Sequence, residues 1–338
     1  MTDLLDRFDA LLADLDGTLY RGPVAVPGAA RAVLDAGERG VRTIYVTNNA
    51  SRTPADVAGH LVELGFPAGP DDVVTSSQAA AALLAEQLEP GAPVLIVGTD
   101  ALAAEVEAVG LATTREAEGA VAVVQGHSPD TGWRILAEAT VALRAGAVWV
   151  ACNLDPTLPT DRGPLPGNGS MVSVLRISSG REPQVAGKPG PALLREAARR
   201  TGAKAPLMIG DRLDTDIEGG RAAGMATLLV LTGVSDAAEL LAAPPERRPD
   251  YIAADMDGLR QAPDDLAPGP RPGWDVRTNG SESTLAGSGD PLDALRALCG
   301  AHWAAGGGPI RLTSDGAAAE RALADLGLGT NRAGSATV

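Results

Sequence analysis

Short apolar runs recur along the chain, and each gives way at once to Asp, Asn, Gly or Pro. The runs at 10–13 (ALLA), 41–46 (VRTIYV) and 206–209 (PLMI) have the length and residue types of buried strands. After Pro27 the stretch 29–39 is compatible with a helix that Gly40 stops, and 55–64 and 192–200 read the same way. From 65 onward the alternation continues, with strands expected at 94–98, 121–125 and 148–152 and helices at 101–109 and 133–145. Strand and helix in turn predict an α/β fold built on a parallel sheet. The run 153–170 (NLDPTLPTDRGPLPGNGS) breaks the rhythm, and a long irregular segment of this kind is more often a functional loop than filler.

Past 259 the pattern changes. A Pro-rich, stiff linker is expected at 262–273. Beyond it, 274–279 and 283–287 bracket Asn279-Gly280, a strong hairpin signal. A helix at 291–305, a strand at 309–313 and a helix at 317–326 complete a ββαβα piece. About 60 residues bury little core of their own, so this small α+β domain is expected to dock on something.

Composition narrows the function. The 338 residues carry a net charge of −15, only 3% aromatics and no dense Lys/Arg run, which argues against a nucleic-acid partner. Two distant cysteines, Cys152 and Cys299, share no metal-ligand spacing and fit reduced thiols. Residues 1–10 are charged and lack a signal-like apolar region, and no apolar run reaches ~18 residues. The expectation is a soluble, cytoplasmic protein with no membrane insertion.

Candidate chemistry sits at the strand ends. The stretch 8–22 (FDALLADLDGTLYRG) sets Asp14 and Asp16 two apart after a strand, so both carboxylates can address one spot, and Gly17 allows a tight turn. Thr47-Asn48-Asn49 follows the second strand, Lys188 stands between Gly187 and Pro189, and Gly210-Asp211-Arg212-Leu213-Asp214-Thr215-Asp216 follows PLMI. Singly, each has a plain reading as a turn, a helix cap or a surface lysine. Together they supply carboxylates, a hydroxyl and a lysine suited to phosphoryl transfer, with extra acids for a hard cation such as Mg²⁺. Thirty-three positions from Asp14 to Thr47 hold one βαβ crossover, while the 141 from Thr47 to Lys188 leave room for an inserted α/β unit.

That set resembles the haloacid dehalogenase (HAD) superfamily phosphatases of the NagD-like or p-nitrophenylphosphatase-like branch. The matching segments are 14–22, 47–49, 187–189 and 210–217. The resemblance covers about 8–259 and implies a Rossmann-like HAD core at 1–79 and 183–261 with an α/β cap at 80–182 that roofs the pocket; the linker at 262–273 and the small domain at 274–338 lie outside that plain architecture. It implies that Asp14 is the nucleophile forming an aspartyl-phosphate and that Asp16 is the general acid, then the base. Thr47 and Lys188 would hold the phosphoryl group. Asp211 would bind Mg²⁺ with Asp14 and the Asp16 carbonyl, while Asp216 orients the metal's ligands. Asn48 would orient substrate or the flap, and Asn153 and Asp155 of the cap segment would contact substrate. Arg212 and Asp214 are not carried over.

Two departures stand beside it. Many relatives carry Gly, a hydrophobic residue and Asp after the second cap strand, where this chain has Gly126-His127-Ser128-Pro129. His127 could contact substrate but reads more simply as a surface-loop histidine. Asp255-Met256-Asp257-Gly258 repeats the DxDG pattern without a following Thr, and reads as a strand end plus a turn. The C-terminal piece faintly resembles a truncated acetyltransferase-like (GNAT) fold without its acetyl-CoA phosphate loop, so no catalysis is assigned to it. Composition and C-terminal extension together resemble the mycobacterial glycerol-3-phosphate phosphatases, which implies glycerol 3-phosphate as the small phosphorylated substrate. 2-Phosphoglycolate, pyridoxal phosphate and a nucleotide monophosphate are alternatives, and a homodimer stays open. A reading of another class is a non-enzymatic metabolite-sensing scaffold with a vestigial core.

Overall fold

The computed structural model describes residues 2–158, 162–329 and 336–337. The chain forms two compact units, Met1–Thr43 with Lys204–Val338, and Ile44–Ala203.

In the first unit the strands Tyr251–Ala253, Ala226–Val230, Pro206–Gly210 and Ala10–Ala13 lie side by side in that order, all parallel. The opening strand is buried along its whole length, as a strand covered on both faces must be. Its register sets Ala13 opposite Ile209, and the Asp14 N–H continues the ladder to the Ile209 carbonyl at 2.9 Å. Asp14 and the 210–216 loop are thereby delivered to the same carboxyl edge, where open parallel sheets bind ligands. A two-residue hairpin pairs Tyr20–Arg21 with Val24–Ala25, and the helix Ala29–Glu38 follows, burying Ala29, Ala32, Val33 and Ala36 on one face. The strand Ala226–Val230 was not singled out in the sequence.

The C-terminal part of this unit has the predicted hairpin, Trp274–Asn279 against Glu282–Gly287, turning at Gly280 with φ +60°. Arg311–Asp315 pairs parallel to the second hairpin strand, two residues later than expected, after a run of three positive-φ glycines, Gly306–Gly308. The helices Pro291–Ala304 and Ala317–Asp325 complete it. It does not stand alone: Trp274, Leu295 and Leu298 share one apolar cluster with Leu240, Leu241 and Ile252. Arg296, almost fully buried, donates through Nε and one terminal nitrogen to the Ile252 carbonyl at 3.0 and 2.7 Å. Trp303 Nε1 donates to the Leu241 carbonyl at 3.2 Å. Residues 263–266 of the Pro-rich stretch form one helical turn that buries Pro263 and Leu266.

In the second unit Tyr45–Thr47 of the strand Arg42–Thr47 pairs in parallel with Val73–Thr75. A separate five-stranded parallel sheet runs in the order Gln184–Val185, Val148–Ala151, Ala122–Gln125, Pro93–Val97, Ala112–Thr114. The helices Asp100–Ala108 and Trp133–Arg144 fall where the pattern placed them. The irregular run at 153–170 is shorter than expected. Residues 159–161 lie outside the described residues, Thr157–Leu158 pairs with Leu165–Pro166, and a helix begins at Asn168 and continues to Ser179. That helix (NGSMVSVLRISS) is rich in Gly, Ser and β-branched residues, which are poor helix formers. Burial of Val172 and Leu175 against Ala139, Ala142 and Leu143 holds it instead. No helix among the described residues is long and apolar enough to cross a membrane.

Candidate active site

In the first unit Asp14, Asp211 and Asp216 bring carboxylate oxygens within 4.8 Å of one another. Asp211 and Asp216 are sealed, at 0% and 1% exposure, Asp14 is half-buried, and Asp16 is exposed. Each acid is placed by local geometry. Gly17 turns the chain with φ +87°, and a Cβ there, or at Gly233, would overlap the Asp211 carboxylate. Thr18 Oγ1 donates to Asp211 Oδ1 at 3.3 Å, and the Val234 N–H donates to Oδ2 at 2.7 Å. The Arg212 N–H donates to Asp216 Oδ2 at 3.1 Å, and a Cβ on Gly210 would overlap the Asp216 side chain.

Three acids this close repel one another in their charged forms, and two of them have little water to screen them. All offer hard oxygen donors on short side chains, and backbone N–H groups hold the carboxylates of Asp211 and Asp216. The set fits a small divalent cation such as Mg²⁺. Asp16 is not part of that carboxylate group. Arg212 and Asp214 stand outside it as well, joined in a two-point pair of 3.0 and 2.9 Å. Burial pushes the Asp214 carboxyl up, but the Arg212 guanidinium overrides this and holds it below the usual range.

The loop 231–235 is a contributor that the sequence reading passed over. Thr232 Oγ1 donates to the Gly17 carbonyl at 2.6 Å, the Ser235 N–H donates to the Asp211 carbonyl at 3.0 Å, and Ser235 Oγ accepts the Leu213 N–H at 3.1 Å. Arg21 of the hairpin also donates to the Thr232 carbonyl. The available signal was the apolar run ATLLV followed by Leu-Thr-Gly, a strand end like the others but without a charged residue to mark it.

In the second unit Thr47 and Lys188 are buried, at 8% and 2% exposure, and Asn48 and Asp155 are half-buried. Thr47 Oγ1 accepts the Asn49 N–H at 3.1 Å. The Asn48 side chain bonds the Lys188 backbone twice, at 2.9 and 2.8 Å. Asn153 is 4% exposed, with Nδ2 donating to the Asn48 carbonyl at 2.7 Å and Oδ1 accepting the Asp155 N–H at 3.2 Å. Its side-chain amide is engaged at both ends by protein. His127 is half-buried. The second DxDG follows the strand Tyr251–Ala253 as a capped turn: Asp255 Oδ1 accepts the Asp257 N–H at 2.8 Å and Asp257 pairs with Arg260.

A parallel α/β sheet whose carboxyl edge carries the DxDGT turn and a cluster of acids defines a hydrolase of phosphoryl-transfer type. The chain belongs to the haloacid dehalogenase-like hydrolases. Residues 11–112 match that family, 185–259 match a HAD-hydrolase-like family, and 271–328 match a GCN5-related N-acetyltransferase-like domain. It is 52% identical over 315 residues to the D-glycerol 3-phosphate phosphatase of Mycobacterium tuberculosis, covering 90% of this chain and 88% of that protein. The crystal structure of the glycerol phosphate phosphatase of that organism in complex with magnesium aligns with a TM-score of 0.91 at 50% identity, over 97% of this chain and 99% of that one. A p-nitrophenyl phosphatase from Archaeoglobus fulgidus aligns with a TM-score of 0.68 at 30% identity, over 75% and 98%.

Proposed function

We propose that the chain is a Mg²⁺-dependent phosphatase of small phosphomonoesters and that glycerol 3-phosphate is its substrate. The observation that carries the reading is the gathering of Asp14, Asp211 and Asp216 at one sheet edge, with exposed Asp16 two residues beyond Asp14. Asp14 attacks phosphorus, an Asp14–O–P bond forms, and the ester P–O bond breaks with its electron pair leaving on the glycerol oxygen. Asp16 gives that oxygen its proton. Water then attacks the phosphoryl group, Asp16 takes the water's proton, and the Asp14–O–P bond breaks to release phosphate. Thr47 and Lys188 hold the phosphoryl oxygens and offset their charge. The carboxylates of Asp14 and Asp211, with the Asp16 carbonyl, would hold Mg²⁺, which Asp216 keeps in register. When bound, the cation supplies charge neutralisation for a dianionic substrate approaching a carboxylate.

The organisation proposed with it is a core at 1–79 and 183–261, a cap at 80–182, and a non-catalytic C-terminal domain at 274–338 joined through 262–273. Asp155, half-buried in the cap segment, is the candidate contact to the glycerol hydroxyls. The two buried cysteines, neither in a disulfide, support a reducing, cytoplasmic setting. Retention of the full acidic set argues against a vestigial core. The test is a panel of phosphomonoesters assayed with and without Mg²⁺ on the wild type and on Asp14→Asn. The variant is expected to fold and to lose several powers of ten in turnover, roughly what removing a covalent nucleophile costs elsewhere. Mg²⁺-dependent turnover surviving in folded Asp14→Asn would sink the mechanism.

A further inference from the structure

Asn48 follows Thr47, which makes it look like a residue aimed at substrate. Its side chain does something else. Nδ2 donates to the Lys188 carbonyl at 2.9 Å, and Oδ1 accepts the Lys188 N–H at 2.8 Å. Two bonds from one planar amide to the N–H and C=O of a single residue fix that residue's backbone in both place and rotation. Gly187 makes the approach feasible, since a Cβ there would lie 2.5 Å from Asn48 Oδ1.

Asn48 is itself gripped. Its carbonyl accepts from Ser76 Oγ at 2.6 Å and from Asn153 Nδ2 at 2.7 Å. The Asn153 carbonyl accepts from Asn168 Nδ2 at 2.7 Å, which also reaches the Gln125 carbonyl at 3.4 Å. Asn153 and Asn168 are 4% and 1% exposed, and Asn168 Oδ1 meets no hydrogen-bond partner among the described residues. A buried amide left half-satisfied costs stability, so what its other end holds deserves to be the reason for its presence. What it holds is Asn153, and through it Asn48.

A lysine side chain has four rotatable bonds, so its ammonium is only as well placed as the backbone from which it springs. Displacements of about 1 Å at a reacting centre cost about 100-fold in rate. We propose that Asn48 is a positioning residue for Lys188, and that Asn153, backed by Asn168, acts on turnover through Asn48 instead of touching the leaving group. The proposal rests on Lys188 being the phosphoryl-binding cation.

The experiment measures kcat and KM on glycerol 3-phosphate and p-nitrophenyl phosphate, and the inhibition constant of inorganic phosphate. The proteins are full-length Lys188→Ala, Asn48→Ala, Asn48→Asp, Asn153→Ala and the double variant Asn48→Ala/Lys188→Ala, each checked for folding by thermal unfolding. Asn48→Ala is expected to lower kcat/KM roughly 10- to 100-fold and to weaken phosphate inhibition. Asn48→Asp keeps the shape and the acceptor for the Lys188 N–H, so it falls between Asn48→Ala and wild type and carries the test if the alanine variant does not fold. Asn153→Ala should lose about fivefold or more, by the same factor on both substrates. In the double variant, the Asn48 change should cost no more than about threefold beyond Lys188→Ala, because the residue it positions is gone. Additive losses, or an Asn153→Ala loss that differs between the two leaving groups, overturn the proposal. Wild-type kinetics in Lys188→Ala would instead remove the reading of Lys188 itself.

Discussion

Exposure separates the acids. Asp211 and Asp216 are sealed from solvent, and Asp16 is not. Sealed carboxylates suit a bound cation, while a group that shuttles protons to a leaving group and from water must be reachable. Asp16→Asn should therefore cut kcat/KM far more for glycerol 3-phosphate than for p-nitrophenyl phosphate, because nitrophenolate leaves without a proton and kcat/KM does not include the later water attack that both substrates share. Equal losses on the two substrates would deny Asp16 the acid's role. Gly233 gives a second residue-scale test. A Cβ there would overlap the Asp211 carboxylate, so Gly233→Ala should weaken Mg²⁺ binding about tenfold or more in a metal titration. Burial also raises both thiols, Cys152 to about 12 and Cys299 still higher. They stay protonated in the fold, so the stability they contribute is complete below the free thiol's ~8.5 and is lost as pH climbs toward 12. Iodoacetamide at pH 8 should modify neither until denaturant is added.

At the scale of elements, strands and their polar ends were legible because both are written locally. An apolar run of four or five residues followed by Asp, Thr or Lys needs no distant partner to be recognised. The helix Asn168–Ser179 was not legible, since its residues disfavour helix and only Val172 and Leu175 reaching a distant cluster decide it. Leu175→Ala should thus destabilise the protein by about 2–5 kcal/mol in urea unfolding, while an exposed change such as Ser173→Ala stays within about 0.5. The loop 231–235 was missed for the opposite reason. Its contribution comes through two backbone N–H groups and two hydroxyls, which no motif advertises.

For the whole molecule, the C-terminal piece matters first as cover. Its Trp274, Leu295 and Leu298 share one cluster with Leu240, Leu241 and Ile252, which removal of residues 271–338 would expose to water. The truncated protein should show a lower unfolding midpoint and should aggregate on sizing columns, while any folded fraction keeps its preference between glycerol 3-phosphate and p-nitrophenyl phosphate. A changed preference in that fraction would make the piece part of substrate recognition.

The sequence by itself determined the strand–helix alternation, the C-terminal hairpin, and the kinds of group offered at each strand end. These are local or additive properties, set by periodicity, turn chemistry and chain length. Tertiary structure alone decided that carboxylates at positions 14, 211 and 216 share one small volume, since parallel pairing of Ala10–Ala13 with Pro206–Gly210 joins segments nearly two hundred residues apart. It also decided that Asn153, a polar loop residue in the sequence, is buried with both ends of its amide hydrogen-bonded to backbone. Whether a polar side chain meets ligand or protein depends on what the fold packs against it, and no local pattern carries that information.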